Sequence, residues 1–255
     1  VTAKSVPTKA EVPLCREGPA QTGWQWHEGA QMTAFGPVST VKQGNVGRIL
    51  IDHPPVNALS HGVRAGLVEA IAELEGDKSV KAVVIEALGR TFPAGADISE
   101  FGQPSQEPVL PDVCDAIELC SKPVVAAVHG TVLGGGFEVA LAAHYRVAEA
   151  RTKFGFPEVT LGILPGSGGT QRAPRLIGAG PALDMMLSGT PISAARAMSM
   201  GVLDKVVDGD LTAAAIGIAR EMGEHMLLRR PVDVDGATEF ATALLLAGVR
   251  EIAAK

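Results

Sequence analysis

Thr131–Leu141 reads TVLGGGFEVAL. Three consecutive glycines make a poor helix start, because glycine backbones lose the most entropy on ordering. Glu138 follows two residues later in an otherwise apolar run, where an unpaired carboxylate is costly. The flanking sequence gives the setting. PVVAAVHG (123–130) reads as a buried strand, and GGFEVALAAH reads as a helix. A Gly-rich turn between strand and helix lets a ligand approach the backbone, and the helix N-terminus offers unpaired N–H groups with partial positive charge. The same glycines also suit tight packing of helix on sheet. The glycines alone leave both readings open.

Strands and helices alternate on either side. VGRILIDH, running to His53, is a β-branched strand ending at Pro54-Pro55. SHGVRAGLVEAIAELEGD (60–77) is an amphipathic helix with Ser60 as N-cap and Val63, Leu67, Ala70, Ile71 and Leu74 on one face. KAVVIEA (81–87) is a second strand, followed by the loop LGRTFPAGADISEFGQPSQEP and a short helix near 111–121. YRVAEA (145–150) and TKFGF continue the strands. Strands recurring at intervals of roughly 35–40 residues, with helices between, indicate a repeating α/β layout. Beyond residue 165 the pattern turns helical, with GVLDKVV between helices and two more helices at 211–228 and 237–253.

Length and composition fit one large domain with an appendage: 255 residues, 46% hydrophobic and 20% charged. The formal charge of −6 argues against a nucleic-acid surface. No apolar run reaches the roughly 18–20 residues of a membrane span. Cys15, Cys114 and Cys120 lack metal-ligand spacing, which points to a reducing compartment and no metal site. The chain closes EIAAK rather than Ser-Lys-Leu, so a cytoplasmic location is expected. Residues 1–36, rich in proline and without sustained period, read as an extension, 37–210 as the core and 211–255 as a C-terminal helical segment.

Neither GTVLGGGFE nor GSGGTQR fits the dinucleotide fingerprint GxGxxG, and no Gly-Lys-Ser/Thr phosphate loop occurs. An oxyanion site remains, with Glu138 about one turn past its donors. A second carboxylate, Glu158, lies in FGFPEVTLGILPGSGG; a loop acid of this kind is more often exposed than catalytic.

These residues carry a resemblance. KPVVAAVHGTVLGGGFEVALAAHYRVAEARTKFGFPEVTLGILPGSGGTQRAPRLIG resembles the signature region of the crotonase superfamily, in its enoyl-CoA hydratase/isomerase branch. TFPAGADISEF and SGTPISAARAMSMGVLDKVV resemble its other signatures. PPVNALSHGVRAGLVEAI resembles the hydratase module at the N-terminus of bifunctional β-oxidation enzymes. The resemblance implies an α/β crotonase-type spiral of ββα repeats with a C-terminal helical region, and a homo-oligomer, a trimer or dimer of trimers. It implies an acyl-CoA substrate and no metal or redox cofactor. Carried over by position, the oxyanion donors are the amides of Ala96 and Gly135, the substrate segment is Ala96, Asp97, Ile98 and Ser99, and the catalytic acids are Glu138 and Glu158. The implied activity is hydration of an enoyl-CoA to a 3-hydroxyacyl-CoA. The alternatives are a Δ3,Δ2-enoyl-CoA isomerase and, outside enzymes, an RNA-binding relative.

Bland readings go to other polar residues. His129 and His144 read as structural, Asp97 as a cap, and Arg172 as half of an ion pair. Cys114 and Cys120 have no adjacent His motif and read as non-nucleophilic. Phe137, Phe154, Phe156 and Leu164 are expected to wall the site.

Overall fold

The computed structural model describes residues 32–225. The first 31 residues of the expected extension and the helix expected at 237–253 lie outside them. The extension's last residues, Met32–Phe35, form β1, which pairs antiparallel with β2 (Val38–Gln43). β2 pairs antiparallel with β3 (Val46–Ile51). From β3 the sheet runs parallel through β4 (Ala82–Ala87), β5 (Val124–Val128), β7 (Tyr145–Glu149) and β10 (Lys205–Val207). A second, small sheet holds β6 (Thr131–Leu133), β8 (Lys153–Gly155) and β9 (Ile192–Ser193).

The helices are α1 (His61–Gly76), α2 (Leu110–Leu119), α3 (Gly135–Ala142), α4 (Gly169–Ile177), α5 (Ala179–Ser188), α6 (Ala194–Met200) and α7 (Leu211–His225). Chain order gives the spiral. Each turn runs along the large sheet, crosses to the small one, then enters a helix: β5–β6–α3, then β7–β8 and on to α4. Earlier in the chain an isolated parallel bridge joins Leu59 to Ala96, and Thr91 Oγ1 both donates to Thr131 O and accepts from Thr131 N–H of β6, each at 2.8 Å.

The strand expected over PVVAAVHG is β5, and the TVL that follows is a separate strand, β6, in the other sheet. Gly130 makes the corner at φ +70°, where a β-carbon would lie 2.5 Å from the Arg90 carbonyl oxygen. β-Branched residues on both sides hide that corner from a pattern reading.

Both faces of the large sheet are covered, which is why its central strands read as continuous apolar runs. Val83 and Ile85 of β4 face the main core with α1 and α2. Ala82 and Val84 face the opposite way, onto Ala215, Ile216 and Ala219 of α7. All five expected apolar-face residues of α1 are buried. Ser60 sits at the α1 N-cap, but its side chain makes no cap bond; Glu100 Oε1 accepts the His61 N–H instead, at 2.6 Å.

Candidate active site

The three glycines have three separate jobs. Gly134 is the N-cap of α3 at φ +52°, ψ −128°, a conformation that side-chain-bearing residues avoid. Its N–H donates to Gly155 O at 3.0 Å, tying the turn to β8. Gly135 opens the helix. A β-carbon there would touch Leu110 and Leu59 and lie 3.7 Å from the Ala96 nitrogen. Gly136 packs so tightly on the Pro93 carbonyl that a β-carbon would overlap it.

Ala96 is held opposite by the bridge to Leu59, whose N–H donates to Gly95 O at 3.0 Å. Among the described residues, no turn, loop or cap bond consumes the Ala96 or Gly135 amide. A cavity of about 520 Å³ lies between Ala96 and the loop beyond it, lined by Leu59, Arg64, Ala96, Asp97, Ser99 and Leu110. Asp97 Oδ1 accepts from Ser99 N–H at 2.9 Å and Ser99 Oγ–H at 2.7 Å, so it is the expected cap. Ile98 points away, 76% exposed. Arg64 straps the loop, donating to Pro108 O, Leu59 O and Gln106 O and pairing with Glu100 at 2.7 Å.

Glu138 and Glu158 are both buried; Glu158 lies against Gly134 of the glycine turn, and Glu138, on the helix that this turn opens, reaches Ser167 and Gly169. Glu158 sits in a 3₁₀ turn, Pro157–Leu161, and is the one buried residue of that turn. Its Oε1 lies against Gly134, 3.1 Å from the position of a β-carbon. Its Oε2 is buried and, among the described residues, has no hydrogen-bond partner. Burial, with the nearby Glu138 carboxylate adding, pushes its carboxyl up to about 7. Glu138 differs. Its Oε1 accepts from Ser167 N–H at 2.7 Å and Gly169 N–H at 2.8 Å. Burial raises its pKa, while those amides and Arg172 oppose the rise.

The sequence did not reveal the Ser167–Gly169 clamp. Its only signal was GSGGTQR, whose glycines fit no nucleotide motif. Gly168 turns the chain at φ +96°, and Gly169 leaves room for Glu138, 3.0 Å from where a β-carbon would be. Phe137, Phe154 and Phe156 are all fully buried in one core cluster, with ring centroids 5.6 and 4.8 Å from Phe137 to the other two, and Phe156 lies beside Glu138 at Gly169. Leu164, by contrast, lies 42% exposed in the irregular stretch between Gly162 and Ser167.

The remaining polar residues follow their bland readings. His144 Nδ1 accepts from Val124 N–H at 2.9 Å, which leaves Nε2–H to donate to Glu118 O. His129 reaches Gly89 O. Cys114 and Cys120 are free and buried, and burial pushes the Cys114 thiol up to about 12, far from a nucleophile. No group of three or more His, Cys, Asp or Glu among the described residues could hold a metal ion. No described helix is long and apolar enough to cross a membrane.

A family model described as enoyl-CoA hydratase/isomerase matches residues 41–232. The chain belongs to the enoyl-CoA hydratase/isomerase family. The peroxisomal bifunctional enzyme of Danio rerio is 44% identical over 207 residues, 78% of this chain and 29% of that one. The chain thus spans less than a third of the length of such bifunctional relatives. Among solved structures, enoyl-CoA hydratase from Mycobacterium tuberculosis H37Rv superposes with a TM-score of 0.69 at 31% identity, covering 73% of this chain and 75% of that one. Pseudomonas aeruginosa DspI gives 0.70 at 31% identity, covering 84% and 82%. The expected crotonase spiral is therefore the fold of this family member.

Proposed function

We propose that this chain hydrates an α,β-unsaturated acyl-CoA thioester to a 3-hydroxyacyl-CoA. One observation carries the reading. Two buried carboxyls lie beside the helix that the glycine turn opens: one accepts from two backbone amides, and the other, with an oxygen that has no hydrogen-bond partner among the described residues, is pushed by burial up to about 7.

The thioester oxygen accepts from the amides of Ala96 and Gly135. Negative charge grows on it as the reaction passes through an enolate, and each such donor is typically worth about 3 kcal/mol in acyl-transfer sites. Glu138 takes a proton from the water that attacks Cβ. Glu158 delivers its proton to Cα. The double bond becomes a single bond, H and OH are added, and solvent resets the two carboxyls. Water adds with no net oxidation or reduction, so the reaction calls for no redox cofactor, and the backbone amides take the place of a metal at the thioester oxygen. The substrate lies along Ala96, Asp97 and Ser99, with Ile98 contributing backbone.

Association into a homo-oligomer is supported by the exposed apolar side chains Leu161, Ile163 and Leu187. The net charge of −6 supports the absence of a nucleic-acid partner, and filter binding to RNA across salt tests it. Free, buried Cys114 and Cys120 support a reducing compartment. The cytoplasm expected from the sequence satisfies that; the relatives named peroxisomal make the peroxisome the rival location.

The test is loss of enoyl-thioester absorbance with crotonyl-CoA and with a long-chain enoyl-CoA. Consumption of either, with 3-hydroxyacyl-CoA formed, supports the reading. Consumption of neither removes it.

A further inference from the structure

Arg172 answers to its expected ion pair, and it does more. On α4, 8% exposed, it spans from the protein surface to the site. Its outer contacts are Glu118 Oε2 at 2.6 Å and Asp115 Oδ1 at 2.9 Å, both on α2 and both substantially exposed. Its inner contact is Nη1–H to Ser167 O at 2.9 Å. Ser167 and Gly169 are the residues whose amides hold Glu138. The guanidinium fills the space beside Gly168 so fully that a β-carbon there would overlap it. Its own N–H donates to Gly168 O at 2.8 Å, so it grips the turn at backbone and side chain alike.

We propose that Arg172 is a positioning residue for Glu138. It fixes the Ser167–Gly169 turn so that both amides stay on Glu138 Oε1, and its charge favours the ionised carboxylate. A rigid planar fork suits this task, because it can bind a carbonyl on one side and carboxylates on the other. The charged and titratable groups around Glu138 are Arg172 on α4, Glu158 on the turn after β8, and Cys114, Asp115 and Glu118 on α2. Cys114 stays neutral, and Asp115 and Glu118 sit on Arg172's outer side. Arg172 is the cation of this set. The kinetic side of the inference rests on the hydratase reading; the titration side does not.

The experiment pairs crotonyl-CoA kinetics with carboxyl-¹³C NMR of glutamate-labelled protein, the Glu138 signal being the one missing in Glu138→Gln. In Arg172→Met, kcat should fall at least about tenfold with little change in KM. The Glu138 titration should move up by at least about half a pH unit, and the acid limb of kcat with it. Arg172→Lys keeps the charge and should recover the titration and part of kcat. If Arg172→Met does not fold, Arg172→Gln, which can still donate to Ser167 O, carries the same titration expectation. A folded variant without the charge, with kcat near wild type and an unmoved Glu138 titration, overturns the proposal. A wild-type protein that hydrates nothing removes the hydratase reading instead, and the titration still decides the role of Arg172.

Discussion

Glu158 Oε1 lies against Gly134, 3.1 Å from where a β-carbon of that residue would stand. The N-cap of α3 and the unpartnered acid thus share one small space. Gly134→Ala should do two kinds of damage. Its φ of +52° is strained for alanine, at a cost of about 1–3 kcal/mol. The methyl group also displaces Glu158, so kcat should fall by about tenfold or more. Thermal denaturation and crotonyl-CoA turnover check both; wild-type values of both would refute the close approach.

The two glutamates should separate by reaction. Hydration uses both, so Glu138→Gln or Glu158→Gln should each cost about 10²–10⁴ in hydratase rate. Isomerisation uses no water, and one base can move a proton between two carbons of a dienolate. Any Δ3,Δ2-isomerase activity should survive Glu138→Gln far better than hydration does, and collapse with Glu158→Gln. Both reactions are measured on both variants after circular dichroism confirms folding. Equal loss of both reactions in Glu138→Gln would overturn the assignment.

Stability should depend on pH through Glu158. Its pKa rises from an ordinary 4.5 to about 7 on folding, so the native state holds the proton more tightly than the unfolded state. Its contribution is intact below about 4.5 and is lost as pH climbs through 7. The size is about 3 kcal/mol. Glu158→Gln, which cannot ionise, should therefore gain denaturant resistance over wild type at pH 8 and show little gain at pH 4. An equal gain at both pH values would show that ionisation is not the cause.

Glycine-to-alanine changes should divide by what the methyl meets. At Gly136 it meets the Pro93 backbone, which cannot yield, so Gly136→Ala should fail to fold or lose most of its stability. At Gly180, exposed on α5 with nothing within 4 Å, Gly180→Ala should gain about 0.5–1 kcal/mol. Urea unfolding of the pair measures the contrast; a stable Gly136→Ala protein would contradict the packing described.

Much of this was legible in the chain. Alternating strands and helices gave the α/β layout, since each central strand is apolar on two covered faces. Glu138 stood out because a carboxylate interrupts an apolar helix. Other features leave little trace in a linear pattern. Gly130 turns the chain between sheets while β-branched residues continue on both sides. Glu158 reads as an exposed loop acid until the 3₁₀ turn folds it inward. Ser167 and Gly169 act through backbone amides, which carry no side-chain signature. The Leu59–Ala96 bridge joins residues 37 apart through a single parallel contact.

That bridge also divides the spiral's labour. The cavity loop, strapped by Arg64, belongs to the turn that begins with β4; Glu138 and Glu158 belong to the two turns after it. A change in that one surface excursion would thus reshape the cavity while leaving in register the two layers that carry the buried carboxyls. Cavity shape and carboxyl placement are thus set by different turns, laced together where Thr91 meets Thr131 and Pro93 meets Gly136.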